Sequence, residues 1–249
     1  MIPGVYVCGT GNLATALYTA LRNNGLQAQV YSRTPQVLNG VATLAYGQDV
    51  PAPGSFVFLS VTDSAIADLA RFFTGTACTL IHCSGSVPMQ DEALQVQGVF
   101  YPLQTFSKAV LPSWKGLPVL LEATDDSILQ TLKTLAETLG ATWHAADSQQ
   151  RSAIHLAAVF ANNFSNAMFG IAEKLSEKSG FPQDLLLPLV MQTTEKLKHS
   201  HALDAQTGPA RRQDEAVLQK HLKMLEDEPE LQEIYALMTQ YITRQYPKK

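Results

Sequence analysis

The sequence is poor in cysteine and in charge, and it has no long apolar run. Its three cysteines, Cys8, Cys78 and Cys83, are odd in number and lie in or beside apolar, strand-like stretches. That excludes a complete disulfide framework and makes buried free thiols the expectation, ahead of a metal or redox site. Charged residues make up 16% of the chain and the formal net charge is −4, which argues against a nucleic-acid or anionic-membrane partner, since both recruit basic patches. Local basic spots at Lys196, Lys198 and Arg211-Arg212 can still bind small anions. No stretch of 18 or more apolar residues occurs, so no transmembrane helix is expected. The first residues, Met1-Ile2-Pro3-Gly4, carry no basic segment followed by an apolar run and no cleavage-like site. A strand follows them directly, and the expected location is the cytoplasm. There is no internal repeat and no low-complexity tract.

What is present is a chain of 249 residues with 46% hydrophobic content, enough for one large or two modest domains around a sizeable core. Up to residue 147, short β-rich runs alternate with helical stretches. Val5–Cys8, Gln29–Ser32, Thr79–Cys83, Val99–Tyr101, Val119–Glu122 and Thr142–His144 read as strands. Phe56–Val61 is apolar except for Ser60, as in a central parallel strand buried on both faces. Helical patterns at Leu13–Asn23, Ser64–Phe73 and Ser127–Leu139 come between them, the last ended by Gly140. Such alternation predicts the α/β class with a doubly wound parallel sheet. After Asp147 only helical patterns remain. Asp147 or Ser148 caps a long helix to about Ser179, stopped by Gly180-Phe181-Pro182. Further helices are expected at about Gln183–His201, Gln213–Glu226 and Glu230–Arg244, with Asp204–Arg212 as a polar loop. The predicted organisation is an α/β domain over 1–147 and a helical domain over 148–249.

Gly9-Thr10-Gly11-Asn12-Leu13-Ala14 follows the first strand and opens the first helix. It fits the G-x-G-x-x-G/A fingerprint of a Rossmann-type dinucleotide-binding domain in the strand-to-helix context that gives the motif meaning. Gly9 permits the tight turn, Gly11 lets the backbone approach a pyrophosphate, and Ala14 allows close helix–strand packing. The phosphates then face free N–H groups at the positive end of the helix. The second strand ends Tyr31-Ser32-Arg33-Thr34, and no acid occurs between Gly25 and Gln48. An NAD site wants a carboxylate there for the ribose 2′-hydroxyl. Arg33 beside Ser32 and Thr34 instead suits a 2′-phosphate, so NADP(H) is the expected cofactor.

In an open parallel sheet, ligands gather beyond the carboxyl ends of the strands. Val61 ends the central strand and Thr62 follows it, where Thr62-Asp63-Ser64 reads first as a helix cap and second as a cofactor contact. Ser84-Gly85-Ser86 and the turn from Tyr101 to Ser107, which includes Gln104, are equally readable as site lining or as ordinary loops. On the long helix, His155, Asn162 and Asn166 fall within about 20° of one direction at 100° per residue. Leu156, Phe160, Phe164, Met168 and Ile171 occupy the other faces. If buried, such a polar stripe needs partners, because each unsatisfied group costs roughly 1–3 kcal/mol. A ligand would supply them, and so would hydrogen bonds between helices. His155 can also exchange a proton near neutral pH.

Taken together, these segments resemble the Rossmann-like/DUF2520 proteins, relatives of the pyrroline-5-carboxylate reductase and 6-phosphogluconate dehydrogenase-like families. In the first half the resemblance rests on Gly9–Ala14, Tyr31–Thr34, Ile81-His82-Cys83-Ser84-Gly85-Ser86 and Tyr101–Phe106. In the second it rests on His155–Phe164, Gln206–Asp214 and His221-Leu222. The resemblance implies a helical C-terminal domain of the 6-phosphogluconate dehydrogenase type, NADP binding, and a homodimer built on the helical domains. It also implies that the His155–Asn162 helix and the Thr207–Asp214 loop face the cofactor cleft. One departure matters. The β-hydroxyacid dehydrogenase relatives carry a catalytic Lys four residues before an Asn on this helix, whereas here Ala158 precedes Asn162 and Val159 precedes Asn163. Their Lys-dependent mechanism therefore does not carry over. Prephenate dehydrogenase-like relatives use a His near the start of the corresponding helix, which is closer to His155.

The expected function is an NADP-dependent oxidoreductase acting on a small carbonyl, imine or hydroxy acid. His155 would be the proton donor or acceptor and Asn162 would orient the substrate. Ser84, Gln104 and Asn166 would contribute to the substrate side, and Arg211 or Arg212 would bind a carboxylate. The rival expectation is a sensor that binds NADP without turning it over.

Overall fold

Along the first strand, β1 (Val5–Cys8), Val5 and Val7 join one apolar cluster while Cys8, flanked by Tyr6, joins another. This alternation, repeated by Phe56 and Phe58 against Val57 and Leu59, gives the sheet a core on each face. The computed structural model describes residues 4–34, 36–38, 41–46, 50–89 and 95–247; Met1-Ile2-Pro3 of the N-terminal reading lie outside them. β1 leads through α1 (Asn12–Asn23) to β2 (Ala28–Ser32). Two residues each form β3 (Val37–Leu38) and β4 (Val41–Ala42), an antiparallel pair, and β5 (Leu44–Ala45) joins the edge beside β2. Then come β6 (Phe56–Leu59), α2 (Asp63–Arg71), β7 (Thr79–His82), β8 (Gly98–Pro102), β9 (Pro118–Ala123), α3 (Asp126–Thr138) and β10 (Thr142–Ala145).

The main sheet has eight strands in the order β10-β9-β8-β7-β6-β1-β2-β5. It departs from the expected all-parallel arrangement at one place: β9 runs antiparallel to β8, and β10 then runs parallel to β9. Leu17, Tyr18 and Leu21 of α1 and Leu132 and Leu135 of α3 pack on one face, and Ile66 and Leu69 of α2 pack on the other. The chain order reverses at β1, with β2 on one side and β6 on the other. Their carboxyl ends therefore meet at a topological switch point.

From α4 (Ser148–Ala158) onward every element is helical. Asp147 caps α4 with a reciprocal pair: its side chain accepts from the Gln150 amide, and the Gln150 side chain accepts from the Asp147 N–H. The expected single helix to about Ser179 is interrupted by a wider π turn at Val159–Phe164 before α5 (Ser165–Lys178) resumes. Compact packing divides the described residues at another point, into units 1–163 and 164–249.

The second unit continues from α5 through a 3₁₀ turn (Gln183–Leu186), α6 (Leu187–Lys196), α7 (Ala202–Ala205), α8 (Pro209–Arg212), α9 (Glu215–Met224) and α10 (Pro229–Gln245). The Asp204–Arg212 segment, expected as a loop, thus holds the end of one short helix and the whole of another. Pro209 at the first turn of α8 and Gly208 at φ 102° before it set up the second of these. Lys174 and Lys178 both pair with Glu228, at 3.0 and 3.1 Å. Among the described residues of this unit, Ser176, Ala210, Leu218 and Leu225 are the buried ones. Leu185, Leu187, Leu189, Met191, Leu203, Met224 and Leu237 are exposed.

Candidate functional site

The glycine turn sits at the switch point. Gly9, at φ 118°, donates its N–H to the Tyr31 carbonyl at 2.9 Å. A Cβ on Gly9 would fall 2.4 Å from the carbonyl oxygen of Ser60, the residue after β6, so only glycine fits there. Gly11 is the N-cap of α1 and offers no side-chain cap, and a Cβ on it would meet nothing within 4 Å. The first-turn amides of α1 are therefore uncapped by any side chain, at the positive end of the helix dipole. Asn12 ties the turn to the loop after β8 by donating to the Phe106 carbonyl at 2.8 Å.

A cleft of about 670 Å³ opens over this turn. Gly9, Thr10, Gly11, Asn12 and Leu13 line it from β1–α1, Ser32, Arg33 and Thr34 from the end of β2, and Val61 and Thr62 from beyond β6. Arg33 and Thr34 are exposed, but the Ser32 hydroxyl is buried and bonded to Thr43 Oγ1 at 2.7 Å. Of the two hydroxyls expected beside Arg33, only that of Thr34 reaches solvent. Thr62 occupies the N-cap of α2 with extended backbone, yet its hydroxyl makes no cap bond; the capping reading holds for its position and not for its side chain. Tyr46 and Phe72 also line the cleft, their rings stacked at 5.9 Å between centroids. They went unread in the sequence because neither belongs to a motif. Burial pushes the Tyr46 phenol pKa up, with Arg33 opposing weakly.

A second cavity of about 650 Å³ lies beside α4, lined by Tyr101, Leu103–Phe106, Ile154, His155, Ala157–Val159 and Ala161–Asn163. It brings together His155, Asn162 and Gln104 of the predicted set and adds Tyr101 and Asn163. His155 is half-buried, and its Nδ1 lies 2.9 Å from the Tyr101 hydroxyl, with the two rings edge to face. Burial and then the Asp63 charge raise the Tyr101 pKa, while Arg151 lowers it. Asn162, Asn163 and Asn166 are exposed, so the argument that the stripe must find buried partners applies to His155 alone. The π turn supplies the reason that Asn163 shares the cavity: hydrogen bonds to the fifth residue widen the helix, and 100° per residue no longer describes 159–164. Asn166 lies beyond, in the second unit.

Ser84 is buried, and its hydroxyl accepts from the Ser86 and Val87 amides at 3.1 Å each. It shapes the turn after β7. Its own N–H donates to His82 Nδ1 at 3.1 Å. His82 is fully buried, and its Nε2 and the Nε of Arg151 have no partner among the described residues. Burial first, then the nearby Arg151 charge, push the His82 imidazole down to about 4, with Asp63 opposing. Arg151 itself is buried and forms an ion pair with Glu122 of β9, and it donates to the Val87 carbonyl at 2.6 Å. Ser148 donates to Glu122 and accepts from the Met89 amide at 3.0 Å. This network fastens the first turn of α4 to β9 and to the segment after β7, one helical turn before His155. Nothing in the spacing of Glu122 and Arg151 announces it.

In the second unit, Arg211 donates to the carbonyls of Asp204 and Gln206 and lies over the Tyr246 ring. Arg212 is exposed and makes no side-chain bond among the described residues. The three cysteines are free and buried, and burial pushes the Cys83 thiol up to about 12. Among the described residues no helix is long and apolar enough to cross a membrane.

A family model described as a domain of unknown function, DUF2520, matches residues 117–242. A Bacteroides fragilis protein described as a putative NADP oxidoreductase is 37% identical, with 97% of this chain and 98% of that chain covered and a TM-score of 0.86. The chain belongs to the DUF2520 family. Two more distant structures share the fold of this DUF2520 protein. One is a Thermotoga maritima protein at 22% identity, covering 97% and 98% of the two chains with a TM-score of 0.71. The other is a reductive aminase from Aspergillus terreus, solved with NADPH₄, cyclohexanone and allyl amine, at 18% identity, 98% and 93% coverage and a TM-score of 0.68. No curated protein matches the sequence. The fold is thus a Rossmann-type α/β sheet followed by helices, as in these proteins.

Proposed function

We propose that this DUF2520 protein is an NADP-dependent oxidoreductase that reduces a small carbonyl or imine, or oxidises the corresponding alcohol or amine. The observation that carries the reading is the uncapped N-terminus of α1, opened by Gly11, with Arg33 rather than a carboxylate at the end of β2. Gly9–Leu13 would hold the pyrophosphate, Arg33 and Thr34 the 2′-phosphate, and Val61 and Thr62 the middle of the dinucleotide. Tyr46 and Phe72 offer flat apolar faces at the Arg33 end of the same cleft. Bound NADPH supplies a hydride from nicotinamide C4. His155 exchanges the accompanying proton, Asn162 orients the substrate, and Gln104 adds a polar contact at the cavity wall.

Among the described residues the cavity's lining includes no Lys, Arg, Asp or Glu, which favours an uncharged substrate on this wall. A substrate carboxylate would fall to Arg212 ahead of Arg211, whose guanidinium is already bonded. Ser84 acts by shaping the turn after β7, and Asn166 would contribute to the substrate side. Two copies would pair through their helical units, in the cytoplasm. The Bacteroides relative's description, an NADP oxidoreductase, agrees with this reading. The rival, a sensor that binds NADP without turnover, draws on Ala158 and Val159 at the positions where β-hydroxyacid dehydrogenase relatives carry lysine.

The test is a fluorescence titration with NADPH and NADH, followed by oxidation of NADPH with uncharged ketones, imines and keto acids. NADPH should bind more tightly than NADH, and Arg33→Asp should reverse that order. His155→Ala should cut turnover roughly 10²–10⁴-fold. Tight binding with no turnover across the panel favours the sensor, and an unchanged affinity ratio in Arg33→Asp removes the NADP assignment.

A further inference from the structure

The two ring nitrogens of His155 lie in unlike surroundings. Nδ1 is 2.9 Å from the Tyr101 hydroxyl. A Cβ on Gly85 would fall 2.7 Å from Nδ1, 2.8 Å from His155 Cγ and 2.8 Å from Tyr101 Cζ. The turn after β7 therefore closes that edge of the imidazole. Nε2 has no bonded partner among the described residues, and the ring lines the cavity beside α4.

We propose that Tyr101 is a positioning residue for proton exchange at His155: its hydroxyl holds Nδ1, and exchange with the substrate is confined to Nε2. In the direction of reduction, the Nε2–H bond of the imidazolium breaks and the proton passes to the substrate oxygen or nitrogen. The substrate carbon takes the hydride that the reduced nicotinamide supplies. The imidazole is left neutral with its remaining proton on Nδ1, donated to the Tyr101 oxygen, and Nε2 is reloaded from water. Oxidation runs the same exchange backwards.

A hydroxyl holds the ring differently from a carboxylate. A carboxylate stabilises the charged imidazole and biases it towards keeping its proton. A phenol oxygen accepts from Nδ1–H of the neutral or charged ring, its hydroxyl can instead donate to a bare Nδ1, and either way it brings no formal charge. Burial and then Asp63 raise that phenol's pKa, and Arg151 opposes them. Gly85 contributes by omission: any side chain there would push the imidazole off the phenol.

The proton's destination rests on the oxidoreductase reading, but the holding of Nδ1 does not. The test therefore reads the ring directly, by ¹⁵N–¹H correlation of imidazole nitrogens in labelled protein at mildly alkaline pH. His155 is assigned by its disappearance in His155→Gln. The unmodified protein should show one tautomer, with Nδ1 protonated and the two nitrogen shifts far apart. Tyr101→Phe should move both shifts towards the average of two tautomers, with thermal midpoint and NADPH affinity unchanged. Gly85→Ala should give the same collapse through displacement of the ring. On a substrate that turns over, Tyr101→Phe should lower kcat by about ten-fold or more, less than loss of His155 itself, with little change in KM. Identical, well-separated shifts in the unmodified protein and Tyr101→Phe overturn the proposal, whatever turnover does. Collapse in Tyr101→Phe, with no turnover by the unmodified protein, supports the holding of Nδ1 and counts against the oxidoreductase reading instead.

Discussion

His82 couples stability to pH. Its pKa in the folded protein is about 4 against an ordinary 6.5, so on acidification the unfolded chain binds a proton first. The stability it contributes is fully present above pH 6.5 and is lost as pH falls from there towards 4. The full loss is of order 3 kcal/mol. His82→Asn keeps an acceptor for the Ser84 amide and removes the titration. The drop in unfolding free energy between pH 7 and 4.5, measured in urea, should shrink by about 2 kcal/mol in that variant; an equal drop in both proteins would disprove the coupling. His82 was quoted in the sequence only as part of a motif, because a buried imidazole with one bonded nitrogen looks in one dimension like any other. The glycine turn and Arg33 were legible for the opposite reason. Their meaning lies in their order along the chain, strand then turn then helix, and strand then cation. Tyr101 stood inside a recognised segment, but its pairing with His155 spans 54 positions, and no local pattern encodes that.

At the scale of elements, α4 is fastened by charge and hydrogen bonds more than by apolar packing. Its one buried residue is Arg151, which is held by Glu122 of β9 and the Val87 carbonyl. Removing one partner of a buried ion pair strands the other, so Arg151→Ala should destabilise the protein by about 3–5 kcal/mol in chemical denaturation. A loss below 1 kcal/mol would mean that α4 is held otherwise. The start of α4 was readable, since Asp147 and Gln150 form a capping box with sequence-local spacing. The direction of β9 was not. Val119, Leu120 and Leu121 are buried whichever way the strand runs, and burial on both faces carries no polarity. The π turn at Val159–Phe164 was equally silent, because Val-Phe-Ala-Asn-Asn-Phe contains neither proline nor glycine to mark a break.

At the scale of the molecule, the helical unit has little interior of its own. Four of its described residues are buried, Ser176, Ala210, Leu218 and Leu225, while Leu189, Leu237 and Met224 are 65%, 67% and 72% exposed. Apolar surface of that kind is what the proposed pairing with a second copy of the chain would cover. The thermal midpoint should then rise with protein concentration, and sedimentation should give twice the chain mass. A concentration-independent midpoint with a monomer mass would refute the pairing. The change from mixed to helical elements after residue 147 was visible in composition. The want of a helical core was not, because amphipathic spacing reports that a face is apolar and not which molecule covers it.

Gly9 and Gly11 differ in a way that reaches beyond this chain. The first is required by a neighbouring carbonyl, whereas a Cβ at the second would meet nothing within 4 Å among the described residues. Position 9 therefore records descent from a working fold, whereas position 11 is free to drift as soon as the ligand ceases to matter. Among relatives, a larger residue at position 11 above an intact Gly9 would mark a lineage that kept the architecture after abandoning the dinucleotide.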